Sequence, residues 1–143
     1  MLCNCRKKCS RSGGAVLEMC LALPVLVMLS FGIVDYGYFL YVKNTLQGAA
    51  EAGARAAVAP SATNTSVTTI IASSLSAAGL QNSGYTVAFS PSDISTAAAG
   101  SAVTVTVNLK WGNVSMNTLS AGYGGISSTK QIVGAAVMMK ESS

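Results

Sequence analysis

The feature that most constrains this chain is a run of residues near its N-terminus, from Met19 to Val34, that carries no charge. Extended to Val42, the run contains a single charged residue, Asp35. A helix of about 20 residues spans the ~30 Å hydrocarbon core of a bilayer. The run therefore predicts a transmembrane helix, which we place at about residues 19–42.

The basic residues that precede this run predict its orientation. The full chain of 143 residues has a net charge of +4, and beyond residue 11 its five basic and five acidic residues cancel. By the positive-inside rule, the leader stays in the cytoplasm and the part after Lys43 is exported. Because the excess charge is confined to the leader, nucleic-acid binding is not predicted. The leader charges are Arg6, Lys7, Lys8 and Arg11.

Two other kinds of N-terminal segment also join a basic start to an apolar run. A cleaved secretory signal has an apolar region of about 7 to 15 residues that ends at a small-x-small cleavage site. Here the apolar stretch continues into a long amphipathic pattern instead. A lipoprotein signal needs small residues between Leu17 and Cys20, where this chain has Glu18 and Met19. Both alternatives are disfavoured.

The inventory of reactive side chains argues against catalysis and against a cofactor. The sequence contains no histidine, and its acidic residues beyond the predicted span are Glu51, Asp93 and Glu141. A hydrolytic triad, a paired-carboxylate site or a zinc site is hard to assemble from these groups. We therefore predict that the protein is not an enzyme and holds no cofactor or metal.

The cysteines point the same way, because all of them lie within the first 20 residues. Cys3, Cys5 and Cys9 lack a fourth ligand and match no common zinc spacing, so a reduced, unstructured leader is the favoured interpretation. Cys20 follows inside the apolar run. The exported part therefore folds without disulfides.

The junction between the leader and the apolar run reads Gly13-Gly14-Ala15-Val16-Leu17-Glu18. A carboxylate at the edge of the hydrocarbon costs on the order of a few kcal/mol unless it is paired, so Glu18 predicts a cationic partner. Alternatively, Glu18 lies at interfacial depth and complements the positive end of the helix dipole.

This junction resembles the processing site of type IV prepilins and Flp-type pseudopilins. The resemblance implies that a prepilin peptidase cuts between Gly13 and Gly14 on the cytoplasmic side. Glu18 would then be the fifth residue of the mature chain, and all four leader charges would be removed. The resemblance also implies that the new amine of Gly14, from the same chain or a neighbour, neutralises Glu18.

Beyond the span the sequence remains helical, because residues 43–59 are rich in alanine and free of proline until Pro60. One helix is predicted from about residue 14 to 59, kinked or locally opened at Pro24. Small residues recur along it at spacings of three and four, which predicts a stripe for close packing within the chain or between chains. The stripe comprises Gly48, Ala49, Ala52, Gly53, Ala56 and Ala57.

Three segments widen the family resemblance: Leu23-Pro24, residues 31–37, and Gly53-Ala54-Arg55 within residues 49–57. Together they are similar to the N-terminal segment of TadE-like proteins, minor pseudopilins of tight-adherence (Flp-type) pilus systems. The resemblance implies a single-pass protein of the bacterial inner membrane. The implied partners are the membrane, the prepilin peptidase, other pilins and the pilus assembly machinery.

Asp35 is a further candidate for an intramembrane or assembly role, as are Glu18 and Pro24. An acidic residue inside a span is a functional-site candidate by default, and the resemblance adds that an acid near this place is common in the family. Alternatively, Asp35 is wetted at the outer interface beside the tyrosines at positions 36, 38 and 41. Both interpretations stay open at this stage.

The rest of the sequence predicts a small exported domain. A short helix is expected at residues 67–80, and strands at 85–89, 103–111 and 131–139, with loops at 90–100 and 112–130. Trp111 and Tyr85 are interpreted as core residues. The predicted fold class is α+β and pilin-like: a long N-terminal transmembrane helix continues outside the membrane and packs on an antiparallel sheet of about three strands.

Three parts of the chain are expected: a basic leader at 1–13, the long helix at 14–59 and the exported domain at 60–143. The predicted function is that of a minor pilin or assembly factor of an Flp-type pilus or a related secretion apparatus. The alternative is an uncleaved bitopic envelope protein that presents its exported domain as a binding module.

Overall fold

The computed structural model describes residues 12–115 and 126–141. The leader charges and Cys3, Cys5 and Cys9 lie outside these residues, as do positions 116–125 of the predicted loop at 112–130. The elements are helix α1 (Ser12–Ala57), helix α2 (Asn64–Ala77), and strands β1 (Thr86–Ser90), β2 (Ala102–Lys110) and β3 (Gln131–Met139). A single 3-10 turn, Trp111–Asn113, follows β2.

Helix α1 has 46 residues, which corresponds to a length of about 69 Å at ~1.5 Å per residue. The helix is continuous through Pro24, where the sequence predicted a kink or a local opening. It begins two residues before the predicted start and ends at Ala57, three residues before Pro60. Its high alanine content favours the helical conformation in the outer half.

Helix α2 begins at Asn64, three residues earlier than predicted, because Thr63 and Ser66 form a reciprocal cap. The Ser66 amide donates to the Thr63 hydroxyl at 3.2 Å, and the Thr63 amide donates to the Ser66 hydroxyl at 3.1 Å. The helix stops before Gly79, whose φ of +76° is a conformation that glycine adopts without strain. Of its apolar side chains, Val67, Ile71 and Leu75 are buried, while Ile70 is 39% exposed.

The three strands form one antiparallel sheet in the order β1-β2-β3. Val107 in the central strand stands opposite Val87 in β1 and Gly134 in β3. The strands at 86–90, 102–110 and 131–139 follow the predicted ones within one residue. The predicted α+β class with a three-stranded antiparallel sheet is confirmed.

One face of β2 forms the centre of the core. Its alternate side chains are at most 1% exposed and pack with buried residues of α1 and α2 in one cluster. Trp111 extends this buried face at 1% exposure. The buried side chains of β2 are Val103, Val105, Val107 and Leu109.

Helix α1 and edge strand β3 approach each other closely at Gly134. A Cβ atom added there would lie 2.5 Å from the carbonyl carbon of Leu46 and 2.7 Å from the amide nitrogen of Gln47. One residue further along β3, the Gln47 side chain donates to the Ala135 carbonyl at 3.0 Å and accepts from the Ala135 amide at 3.2 Å. A side-chain amide thus takes the place of a neighbouring strand at the middle of the sheet edge.

The C-terminal end of β3 is fixed to the loop at residues 91–101 by a buried lysine. Lys140 is 7% exposed, and its ammonium donates to the Ile94 carbonyl at 2.6 Å. Beside it, Asp93 accepts hydrogen bonds from the Ser95 hydroxyl at 2.7 Å and the Ser95 amide at 3.0 Å. These bonds, the hydroxyl first, lower the pKa of the Asp93 carboxyl below 3.8, and the charge of Lys140 adds to them.

We expect Gly134→Ala to destabilise the protein, because the new methyl group meets backbone atoms of α1 that cannot rotate away. Overpacking of this kind costs about 1–3 kcal/mol. Gly48→Ala on the same helix is the matched control, since nothing lies within 4 Å of a Cβ added there. Alanine also raises helix propensity, so the control should be neutral or stabilising. Denaturant unfolding of the full chain in detergent, followed by Trp111 fluorescence, measures the free energy of unfolding of both variants. Equal stabilities for the two variants would contradict the close approach.

We expect Ser95→Ala to raise the pKa of Asp93 towards 3.8, because it removes the hydroxyl that contributes most to the lowering. A carboxyl with a depressed pKa in the folded state stabilises that state above its unfolded pKa, and the contribution is lost as the pH falls through the folded pKa. The stability difference between wild type and Asp93→Asn should therefore be constant near neutrality and shrink below pH 3.8. Carbon NMR titration of Asp93 checks the pKa. An unchanged midpoint in Ser95→Ala would show that the hydroxyl is not the cause.

Candidate functional site: the N-terminal helix and its junction with the outer domain

The first half of α1 presents apolar side chains to its surroundings on every side. From Val16 to Val34, its large apolar side chains are between 42% and 69% exposed. Among the described residues, α1 is the one helix that is long and apolar enough to cross a membrane. None of its most apolar stretch of 18 residues is buried within the protein. A helix that is hydrophobic all round and uncovered by protein needs an apolar environment, which a bilayer provides.

The predicted processing residues lie in the first turns of α1. Gly13 and Gly14 are helical and exposed, and nothing lies within 4 Å of a Cβ added to either. Glu18 is exposed and four residues after Gly14, so the two residues are neighbours on the helix surface. Cys20, also exposed, is a free thiol.

Asp35 differs from its neighbours in the same turn. Its side chain is 7% exposed, whereas Val34 and Tyr36 are 66% and 58% exposed. Asp35 thus lies on the one side of α1 that is covered at this level. We call the part of the chain that follows α1, with α2 and β1–β3, the outer domain. It begins to cover the helix at about the point where the predicted span approaches its C-terminal end.

An aromatic cluster joins α1 to the outer domain a few residues further on. The Trp111 ring lies 5.3 Å from the Phe39 ring in an edge-on arrangement and 5.8 Å from the Tyr38 ring. Lys130 places its ammonium 5.6 Å from the centroid of Phe39, within the range of a cation-π contact. Tyr36 and Tyr41 stack on Phe39 and Tyr38 but are themselves about half exposed. We call Tyr38, Phe39 and Trp111 the junction cluster.

Trp111 and Tyr85 were both expected in the core. Trp111 is 1% exposed, and Tyr85 is partly buried against the same core. The sequence did not predict that Trp111 would meet Phe39, because the two residues belong to different elements and are separated by most of the outer domain. Lys130 was missed for the same reason.

The predicted small-residue stripe is divided between buried and exposed positions. Ala49, Gly53 and Ala57 are buried, Ala52 and Ala56 are partly buried, and Gly48 is exposed. A Cβ added to Gly53 would lie 2.7 Å from the Ile71 side chain, so glycine permits α2 to pack directly on α1. The buried face also includes four positions outside the predicted stripe. These are Val42, Leu46, Ala50 and Ala54, whose spacing of four residues was the available signal.

The described residues contain no group of three or more histidine, cysteine, aspartate or glutamate side chains that could hold a metal ion. The polar side chains around the junction cluster are a lysine and tyrosines, which contact aromatic rings rather than a nucleophile and a base. Geometrically, the site is a surface for insertion and packing.

Comparison with known proteins supports this assignment. The family model described as TadE-like protein matches residues 13–55, which is almost the whole of α1. No curated protein and no solved structure matches the chain. The matched segment includes the glycine pair, Glu18, Pro24, Asp35 and most of the predicted stripe. Over residues 13–55 the chain is thus similar to TadE-like proteins, which suggests a minor pilin-like protein associated with a Tad pilus system.

Proposed function

We propose that this protein is a minor pilin subunit or assembly factor of an Flp-type pilus or a related secretion apparatus. It is inserted in the bacterial inner membrane with residues 1–13 in the cytoplasm and residues 60–143 exported. The observation that carries the proposal is the division of α1. Its first half exposes apolar side chains, and one face of its second half is buried by the outer domain. One continuous helix therefore joins an apolar environment to a folded head.

The leader is removed by a prepilin peptidase between Gly13 and Gly14. In support, both glycines are exposed and the space around them is open, so no side chain of the described residues obstructs access to the peptide bond. Cleavage removes the four leader charges and creates an ammonium at Gly14. This amine is one helical turn from Glu18, where it can offset the cost of a carboxylate at the membrane edge.

After cleavage, the only charge before Glu18 is the Gly14 ammonium, which Glu18 offsets, so the chain can leave the bilayer towards the outer side at a lower cost. Each basic side chain that has to enter the bilayer centre adds about 2.5–3.5 kcal/mol on an insertion scale. Removal of Arg6, Lys7, Lys8 and Arg11 therefore allows the helix to be extracted into an assembly with other pilins. The proposed partners are the peptidase, other pilins or pseudopilins and the assembly machinery.

We expect mass spectrometry of the protein co-expressed with an active prepilin peptidase to find a mature chain that begins at Gly14. Gly13→Leu should leave the leader in place, because a bulky side chain then precedes the scissile bond. An intact Met1 in the wild type beside an active peptidase would overturn the processing step and favour the uncleaved envelope protein.

We expect Glu18→Gln to be trimmed but to reduce piliation to a small fraction of the wild-type level, because the neutral amide cannot pair with the ammonium. Glu51→Gln is the matched control, since Glu51 is an exposed acid on the same helix beyond the predicted span. Pili are counted by electron microscopy, and trimming is measured in the same cells. Normal piliation of a fully trimmed Glu18→Gln variant would exclude the pairing role.

A further inference from the structure

We propose that the membrane-proximal end of the outer domain binds the headgroups of anionic phospholipids through three exposed lysines around the junction cluster. We call them the junction lysines: Lys43, Lys110 and Lys130. The inference rests on the proposed function because it requires α1 to span the membrane. It assigns to the outer domain a contact with a defined class of lipid.

The fold brings these lysines from three elements to one level of α1. Lys130 lies over the Phe39 ring at 5.6 Å, and Lys43 follows Phe39 by one helical turn. Lys110 directly precedes Trp111, and in the sheet register it stands opposite Gln131, the residue after Lys130. The Trp111 amide donates to the Lys130 carbonyl at 2.8 Å, which fixes the ends of β2 and β3 together beside the helix.

This level of the helix corresponds to the membrane interface. Leu40 and Tyr41 are the last exposed large apolar side chains of α1, at 40% and 49% exposure, and Lys43 follows them. Tryptophan and tyrosine are enriched where bilayer and water meet. A lysine at this depth lays its aliphatic stem on apolar surface and places its ammonium among the headgroups.

The acidic residues of the exported part lie away from the junction lysines along the axis of α1, together with the basic residues Arg55 and Lys140. Glu51 is about 12 Å beyond Lys43 on the helix, at ~1.5 Å per residue. Glu141 is at the opposite end, where its amide donates to the carbonyl of Val58 at 3.2 Å. Asp93 is beside Lys140, also at that distal end. Three cations thus lie at the membrane-proximal end, while the exported acids lie further out, and this polarity complements an anionic membrane surface.

The expected strength of lipid binding follows from the charge of each lysine. A basic residue near an anionic membrane surface contributes a factor of about five in affinity. This electrostatic attraction decays over a Debye length, about 8 Å at physiological salt. Arg55, three turns beyond Lys43 on the same helix and exposed, is therefore too distant to contribute.

The test uses the full chain reconstituted in phosphatidylcholine vesicles that contain trace spin-labelled phosphatidylglycerol or phosphatidylcholine. Electron paramagnetic resonance gives the preference of the protein for the anionic lipid. We expect the wild type to prefer phosphatidylglycerol, and each lysine-to-glutamine change to lower that preference by up to about fivefold. The leader charges are present in every variant, so they cancel in the comparison.

Three controls make the outcome specific. Arg55→Gln should leave the lipid preference unchanged, the triple lysine-to-arginine variant should retain it, and 1 M salt should remove the difference between wild type and the triple glutamine variant. Trp111 fluorescence confirms that each variant is folded. A triple glutamine variant that is inserted and folded yet retains the wild-type preference would overturn the inference and leave the proposed function intact. If carbonate extracted the wild-type protein from these vesicles, that result would instead count against the membrane insertion itself.

Discussion

The rest of the structure depends on the packing of the outer half of α1 against β3 and α2. At Gly134 the strand backbone lies against the helix backbone, and at Gly53 an aliphatic side chain of α2 occupies the space that a Cβ would need. Such short separations require small residues on the helix and a missing side chain on the strand. They allow a three-stranded sheet, too small to enclose its own core, to bury one face of its central strand completely.

This packing also explains how one helix serves two environments. Residues before about position 35 have exposed apolar side chains that only lipid or other helices can cover. Beyond that point the buried positions recur about every four residues, and the remaining faces carry Lys43, Glu51 and Arg55. The change from a uniformly apolar surface to a one-sided apolar stripe is the change expected where a helix passes from an apolar environment to one of protein and water.

The elements that the sequence predicted well are those with a strong local pattern. Strand β2 alternates valine with polar residues, and its burial follows that alternation through Leu109. The predicted start of α2 was wrong by three residues because serine, rather than glutamate or glutamine, completes its cap with Thr63.

Contacts between distant residues left no local signal. The pairing of Gln47 with Ala135 and of Lys140 with Ile94 spans 88 and 46 residues.

The parts of the candidate site also differ in how far the sequence predicted them. The glycine pair, Glu18 and the apolar run are contiguous, so both their chemistry and their family resemblance could be recognised from the sequence. The residues of the junction cluster and the junction lysines come together only when β2 and β3 pack along the helix.

The family match ends at residue 55, yet one face of residues 42–55 is buried beneath the outer domain. The matched segment therefore includes both the exposed apolar half of α1 and the half that packs in the core, where alanines and glycines allow close approach. Small side chains let a partner approach the helix backbone closely, and the partner must then lack a side chain where the two backbones meet, as β3 does at Gly134. The residues of β3 and α2 that fix the outer domain on α1, Gly134 and Ile71 among them, therefore lie beyond the matched segment.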